Sequence, residues 1–449
     1  MESQEEEPMQ LDNIASVKKK KAPQQSVYIP GRTQLDEDEE LVADESTYIM
    51  LHHATTGNQS MNHHNSDPCL SFEVLKDDLL ENREKFPLTS YLLGGTQSET
   101  GHFNYLLVMK MANLHKTLKE HNVDDDDESE EESETDEEDN ETGLNKKPQL
   151  YQTMIKHNGC VNRVKSTTVD SHVLSASWSE NGIVYIYDVT SHLSILNTPD
   201  RVAEFENINI HTSPMFSFEG HNIEGYGLAW SKLDLGRLLT GDCNKNIHLW
   251  QPTESTWKVD LRPFEGHKAS VEDIKWSPKE NNVFMTCSVD KSLRVWDARS
   301  QPSKACKLVA HDAHLRDVNV IDWSEFEPLV ISGGDDGLIK IWDLRRFTDG
   351  KEVAVFEHHK GSITSVEWNP MDSSVFIASG SDDQVTIWDV AVERDETAED
   401  QEEPDVPAQL LFMHLGQKDI KEVHWHPQIP GLIFSTAQCG FNVFRTISV

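Results

Sequence analysis

The sequence predicts an all-β fold of repeated small sheets, and three observations carry that prediction. Trp250, Trp296, Trp342 and Trp388 recur at intervals of 46 residues. Each closes a short β-rich string: NIHLW, SLRVW, LIKIW and QVTIW. Between them falls a second set, Trp230, Trp276, Trp323, Trp368 and Trp425, in AWS, KWS, DWS, EWN and HWH. A fixed period of this size marks a repeat architecture. Each unit holds runs of alternating apolar residues, such as VEDIKWSP, NVFMTCSVD and SLRVWD, separated by turn residues. One such antiparallel sheet cannot bury both its faces alone, so it must stack on its neighbours.

Asp297, Asp343 and Asp389 directly follow three of the tryptophans, and Asp290, Asp336 and Asp382 stand six residues before three of them. His221, His267 and His359 lie upstream. In one unit His267, Thr286, Asp290 and Trp296 can form a single buried hydrogen-bonded set. A buried polar set must be satisfied, which explains the fixed spacing and makes a His–Asp–Ser arrangement structural rather than catalytic here. These residues resemble the WD-repeat family, whose fold is a β-propeller. Weaker copies flank the clean ones. One runs from His157 through SASWSENGIVYIYDV, with Tyr187 and Asp188 for Trp-Asp; another runs from His414 to Phe444, which replaces the Trp. That makes six units. Asn181 and Asn244 occupy the turn-Asp place and Ala378 replaces the strand hydroxyl, so those polar sets are expected to be weaker.

Only five residues follow Phe444, so the last sheet lacks an outer strand, and an unpaired edge is a liability. STYIMLHHA, Ser46 to Ala54, is the candidate for the missing strand. After it, CLSFEVLKD, SYLLGGTQ, NYLLVMKMANL and QLYQTMIKH read as a first blade. The expectation is one seven-bladed WD-repeat propeller over residues 46–449, closed by that N-terminal strand. A disordered arm of residues 1–45, carrying basic and acidic patches, precedes it.

Net charge is −38 and hydrophobic residues make up only 37%. This argues against a broad basic face for nucleic acid and favours basic protein partners. Asp124, Asp125, Asp126, Asp127, Glu128, Glu130, Glu131, Glu132, Glu134, Asp136, Glu137, Glu138, Asp139 and Glu141 form one run in a loop spanning 121–147. The run repels itself and cannot bury enough apolar surface to fold. It falls between the third and fourth strands of blade one, where a long aperiodic loop reads as functional. A second acidic insert lies within 390–407, before the last blade, and a third, LDEDEELVADE, precedes the closing strand. Together they hold 29 of the 78 acidic residues and can share one side of the ring. The expected role is to collect a basic client while the ring recognises a specific segment of it. Ser129, Ser133 and Thr135 each have an acid three residues later and fit acidophilic kinase sites, where phosphate would deepen the charge. Lys18, Lys19, Lys20 and Lys21 are a candidate nuclear-import signal.

The six cysteines form no CxxC pair, and the N-terminus has no basic-then-apolar leader. No run of eighteen apolar residues suggests a membrane span. A cytoplasmic or nuclear protein is expected. The His pairs at 52–53 and 63–64 lack the spacing and partners of a closed metal site. No phosphate loop, nucleophile elbow or HExxH occurs, so neither enzymatic activity, metal nor cofactor is expected.

SVYIPGR, DESTYIMLHH, PCLSFEVLKD, NREKFPLTSYLLGGTQ, the acidic run and RVWDARS, in this order, resemble the glutamate-rich WD-repeat proteins. That group is related to the retinoblastoma-binding and chromatin-assembly-factor histone-binding propellers, which also carry an acidic loop followed by a string like QLLFMHLG, here Gln409 to Gly416. The resemblance implies a nuclear and nucleolar protein of ribosome biogenesis that escorts a basic large-subunit ribosomal protein of the L-three type to pre-ribosomal particles. It also implies histone binding and a link to replication-origin chromatin. Two features depart from the pattern. Asp67 stands before Pro68 where the family usually has Trp, and the stretch before Ser46 lacks the long amphipathic helix of the histone-binding relatives. WDAR, ending at Arg299, and WDLR, ending at Arg345, resemble the WDxR box of cullin-four ligase receptors, implying a ligase-adaptor contact. Either Arg is equally an ion-pair residue within its blade.

Overall fold

The computed structural model describes residues 26–27, 41–42, 48–54, 68–98, 103–115, 148–198, 212–393, 407–438 and 440–446. Seven four-stranded antiparallel sheets form a closed ring. Their first strands are Cys69–Leu75, Val161–Val169, Gly225–Trp230, Val271–Trp276, Val318–Trp323, Ile363–Trp368 and Glu422–Trp425. Each of these contacts the first strand of the next sheet around the centre, and the last returns to the first. The all-β, seven-bladed propeller expected from the tryptophan period is the fold.

Ring closure follows the prediction. The seventh sheet consists of Glu422–Trp425, Leu432–Ala437 and Gly440–Thr446 with Tyr48–Ala54 as its outer strand. The N-terminal strand runs antiparallel to the C-terminal one, with Tyr48 opposite Thr446 and Ala54 opposite Phe441. The edge that the chain end would leave open is therefore paired. The first sheet is Cys69–Leu75, Leu88–Thr96, Asn104–Leu114 and Gln149–His157, the four segments named from the sequence. Two further two-residue strands, Ser26–Val27 and Leu41–Val42, pair in parallel.

Alternating strand direction gives the ring two distinct faces. First-to-second and third-to-fourth connections leave one face, where third strands end at Asp188, Asp297, Asp343 and Asp389; this is the Trp-Asp face. Second-to-third turns and the passages between blades, which carry the histidines, leave the other, the His face.

The polar set inferred from spacing is present. Trp296 Nε1–H donates to Thr286 Oγ1 at 2.8 Å, Thr286 lies 2.6 Å from His267 Nε2, and His267 Nδ1 lies 3.0 Å from Asp290. Burial lowers the His267 pKa against the pull of Asp290, so the imidazole is neutral and each member of the chain donates once. Trp342, Ser332, His314 and Asp336 repeat the set in the fifth blade.

Two departures expected to weaken such sets do not do so. Asn244 stands in the turn place, but Asp242, two residues earlier, meets His221 at 2.7 Å and also accepts from the Asn244 and Asn246 backbone amides. In the sixth blade, Ala378 is opposite Thr386 across the sheet, and Thr386 supplies the hydroxyl to both His359 and Trp388. The second blade does lose the acid partner. His157 meets Ser177 and the Gly159 carbonyl instead, and burial holds its pKa down at about 4.

The second tryptophan set ties blades together. Trp276 Nε1–H donates to the Ala229 carbonyl of the preceding blade, Trp230 to that of Lys165, and Trp425 to that of Glu367. The core between blades is aromatic, as where Phe284 stacks on Trp296 with ring centres 5.8 Å apart. A short helix, Thr190–Leu196, follows the third strand of the second blade, and its buried His192 meets Thr153 of the first blade.

Candidate partner-binding face

The acidic run begins beyond Leu114, where a third strand ends, and the chain re-enters at Gln149, where the outer strand begins. Those two strands pair over their length, with Met111 opposite Leu150 and Asn104 opposite His157. The run is thus an insertion in a hairpin of the first blade, at the Trp-Asp face. The second insert leaves after the third strand Gln384–Asp389 of the sixth blade and returns at Leu410. The third segment leads into Tyr48, where the outer strand of the seventh blade begins. All three roots therefore lie on the Trp-Asp face of three consecutive blades, the sixth, seventh and first.

The run from Asp124 to Glu141, the sites Ser129, Ser133 and Thr135, and Lys18 to Lys21 lie outside the described residues. Arg299 and Arg345 are described, on the same face in adjoining blades. The Arg299 backbone amide, Nε and Nη2 all donate to Asp297 at 2.9–3.0 Å, and Arg345 grips Asp343 in the same way. Both side chains stay about two-thirds exposed, at 69% and 68%. Each WDxR box is locally an ion pair with its own Asp, and its guanidinium is still open to solvent.

Sequence reasoning missed a ring of charges inside this face. The residue preceding each second-set Trp points its charge at the channel: Lys275, Asp322, Glu367 and His424, with Glu73 and Lys165 completing the ring in the first two blades. They are neutralised in neighbouring pairs. Lys165 is 2.9 Å from Glu73, Lys275 is 3.1 Å from Asp322, and His424 is 2.7 Å from Glu367. Deeper in the channel, Glu422 receives Arg163 at 2.6 Å and the Phe72 amide at 2.7 Å. Burial and Lys165 push the His424 pKa down, yet the carboxylates of Glu367 and Glu422 outweigh them and raise it to about 9. The third blade contributes only Ala229, which leaves a gap in the ring. There a cavity of about 240 Å³ opens, walled by Trp230, Trp276, Trp323 and Trp368. The one sequence signal for the ring is the variable residue in AWS, KWS, DWS, EWN and HWH.

Among the described residues no group of His, Cys, Asp and Glu is arranged to hold a metal, and no helix is long and apolar enough to cross a membrane. The chemistry this face offers is charge, aromatic surface and shape.

Comparison with known proteins agrees with this architecture. Residues 258–297, 305–343 and 350–389 match the WD domain, G-beta repeat. Each match runs from the outer strand of one blade to the Trp-Asp of the next. Residues 38–115 match the family of the histone-binding protein RBBP4, a component of the CAF1 complex. The chain is 40% identical over 440 residues to Protein HEAT STRESS TOLERANT DWD 1 of Arabidopsis thaliana, covering 94% of this chain and 92% of the relative. It is 39% identical to Ribosome assembly protein rrb1 of Schizosaccharomyces pombe, covering 95% and 85%. With Glutamate-rich WD repeat-containing protein 1 of Dictyostelium discoideum it shares 44% identity, covering 94% and 84%. Near full-length identity at this level, together with a seven-bladed ring that roots its acidic segments on one face, shows that the chain belongs to the glutamate-rich WD repeat-containing family.

Proposed function

We propose that this protein is a non-enzymatic carrier in ribosome biogenesis that binds a basic protein of the large ribosomal subunit, of the L-three type, and escorts it to pre-ribosomal particles in the nucleus and nucleolus. The observation that carries the reading is the common root of the three acidic segments on adjoining blades. Twenty-nine acidic side chains issue from one face of a closed scaffold whose relatives include a ribosome assembly protein. A polyanion of this kind competes with nucleic acid for a cationic client through many weak contacts, and salt screens those contacts. A folded face must add the specificity. Affinity purification at moderate salt followed by mass spectrometry tests the reading. Enrichment of one basic large-subunit ribosomal protein supports it; recovery of no ribosomal protein contradicts it.

One observation favours a second reading. The match of residues 38–115 to the histone-binding family supports a chromatin factor that binds core histones, including at replication origins. Recovery of core histones with origin factors in the same experiment supports that alternative. A ligase-receptor role through Arg299 and Arg345 is a separate proposal. It requires co-purification of the cullin-four ligase adaptor and its loss in Arg299→Ala or Arg345→Ala.

A further inference from the structure

The geometry points to the channel mouth on the Trp-Asp face as the docking site for an extended cationic segment of the client, with an Arg or Lys side chain entering the gap at Ala229. This inference rests on the basic-client reading and deepens it by naming where on the ring the client is recognised. Three independent features converge there.

The first is the cavity itself. In every other blade the position before the last residue of the innermost strand, or its equivalent, holds a charged side chain, and only the third blade holds a methyl group. The resulting space of about 240 Å³ has tryptophan walls. Such walls hold a guanidinium or ammonium by cation–π contact and the aliphatic stem by burial.

The second is an unused donor. Trp230, Trp276 and Trp425 each give the indole N–H to a carbonyl of the preceding blade, whereas Trp368, which lines the cavity and is 5% exposed, has no partner for Nε1–H. A buried donor left unpaired carries a free-energy cost that a ligand acceptor relieves. The backbone carbonyl of an incoming extended segment is such an acceptor.

The third is electrostatic. The mouth is neutral because Lys165, Lys275 and His424 are each held by a carboxylate, so it does not repel a cation. Above it Lys232 pairs with Glu325, both solvent-exposed. An exposed pair of this kind is worth little, so an incoming Arg can take over Glu325 at small cost. Leu233, Phe326 and Met371, exposed on the adjoining turns, add an apolar rim. The roots of the acidic segments lie across the same mouth, in the sixth, seventh and first blades. A cation gathered by those segments is thereby delivered to it.

The test uses the full-length chain and a short fluorescein-labelled peptide of alternating arginine and glycine, followed by anisotropy. At about 0.3 M salt, where exposed long-range contacts are largely screened, Ala229→Arg is expected to weaken binding about tenfold and Trp368→Phe about threefold. The paired variants Glu272→Gln and Asp317→Asn, on the His face, are expected to leave binding unchanged. Trp368→Phe keeps an aromatic ring in place and removes only the donor, so it reports on the site even if Ala229→Arg fails to fold. Unchanged affinity in Trp368→Phe and Glu325→Lys, or an equal loss in the His-face variants, overturns the inference. Deleting Asp124–Glu141 separates the two readings. If the deletion leaves low-salt binding intact while the mouth variants weaken it, the acidic-run proposal fails and the docking site stands. If the deletion weakens binding and the mouth variants do not, the docking site fails.

Discussion

A buried hydroxyl serves two partners at once in each full polar set. Thr386 sits 2.9 Å from His359 Nε2 and 2.8 Å from Trp388 Nε1. Replacing it with Val, which is close in shape, leaves both nitrogens buried without that partner. We expect Thr386→Val to lose about 1–3 kcal/mol in urea denaturation, the usual cost of orphaned buried polar groups. Stability equal to wild type would show that the set is ornamental. The set was only half legible beforehand. Spacing along the chain found His267, Thr286, Asp290 and Trp296. It could not see that Thr386 lies across the sheet from Ala378, or that Asp242 reaches His221 from two residues away, because the contact depends on register rather than on count.

His424 brings a pH dependence with a definite sign. Its folded pKa of about 9 lies above the ordinary 6.5. Its stabilising contribution is therefore complete below about 6.5 and is lost as pH rises through about 9. His157 and His414 carry the opposite sign. Burial lowers each to about 4, so their contribution is present above about 6.5 and is lost as pH falls through about 4. Thermal midpoints measured across pH should show a plateau with both flanks falling. His424→Gln should lower the midpoint at pH 7 and flatten the alkaline flank alone. An alkaline flank of unaltered slope in that variant would contradict the assignment.

Between elements, the closing strand and the close approaches of neighbouring blades decide the architecture. Removing residues 1–54 strips Tyr48–Ala54 from Gly440–Thr446 and bares a full strand edge. Such a truncation should melt lower and elute as soluble aggregates in size-exclusion chromatography, because an open edge templates pairing with other chains. Gly333 is a second pressure point. A Cβ there would lie 2.4 Å from Ile363 Cγ2 and 2.7 Å from Ile363 Cβ in the innermost strand of the next blade. Gly333→Ala should cost about 1–3 kcal/mol by overpacking, read as a lower urea midpoint; a midpoint unchanged from wild type would mean that the blades part freely.

The strands themselves were legible because their apolar alternation and the tryptophan period point the same way, as in SLRVWD and NYLLVMKMANL. The helix Thr190–Leu196 was not. It is two turns long, starts after Val189 and has no side-chain cap, so it carries none of the signals that mark a helix start in sequence. Its role is set by contacts with another blade: Asn197, at its C-cap, receives Tyr91 Oη from the first sheet at 2.5 Å. The channel ring was equally hidden. Six charges scattered over the chain become neighbours only once the innermost strands meet at the centre.

At the scale of the whole molecule, charge is partitioned by topology. An insertion between third and fourth strands must emerge on the Trp-Asp face, and a segment leading into an outer strand must arrive there too. The sixth, seventh and first blades are consecutive in the closed ring, so segments that are far apart in sequence issue side by side. That much followed from composition and blade order together. Recognition by the channel mouth did not, since the signal is an alanine where other blades hold a charge. The most direct test of the acidic-segment claim is the salt dependence of affinity for a purified L-three-type ribosomal protein, compared between the full chain and a variant lacking Asp124–Glu141. At low ionic strength the variant should bind about tenfold more weakly, and its affinity should fall less steeply as salt is added. Equal low-salt affinity for the two proteins, with parallel salt curves, would contradict the account.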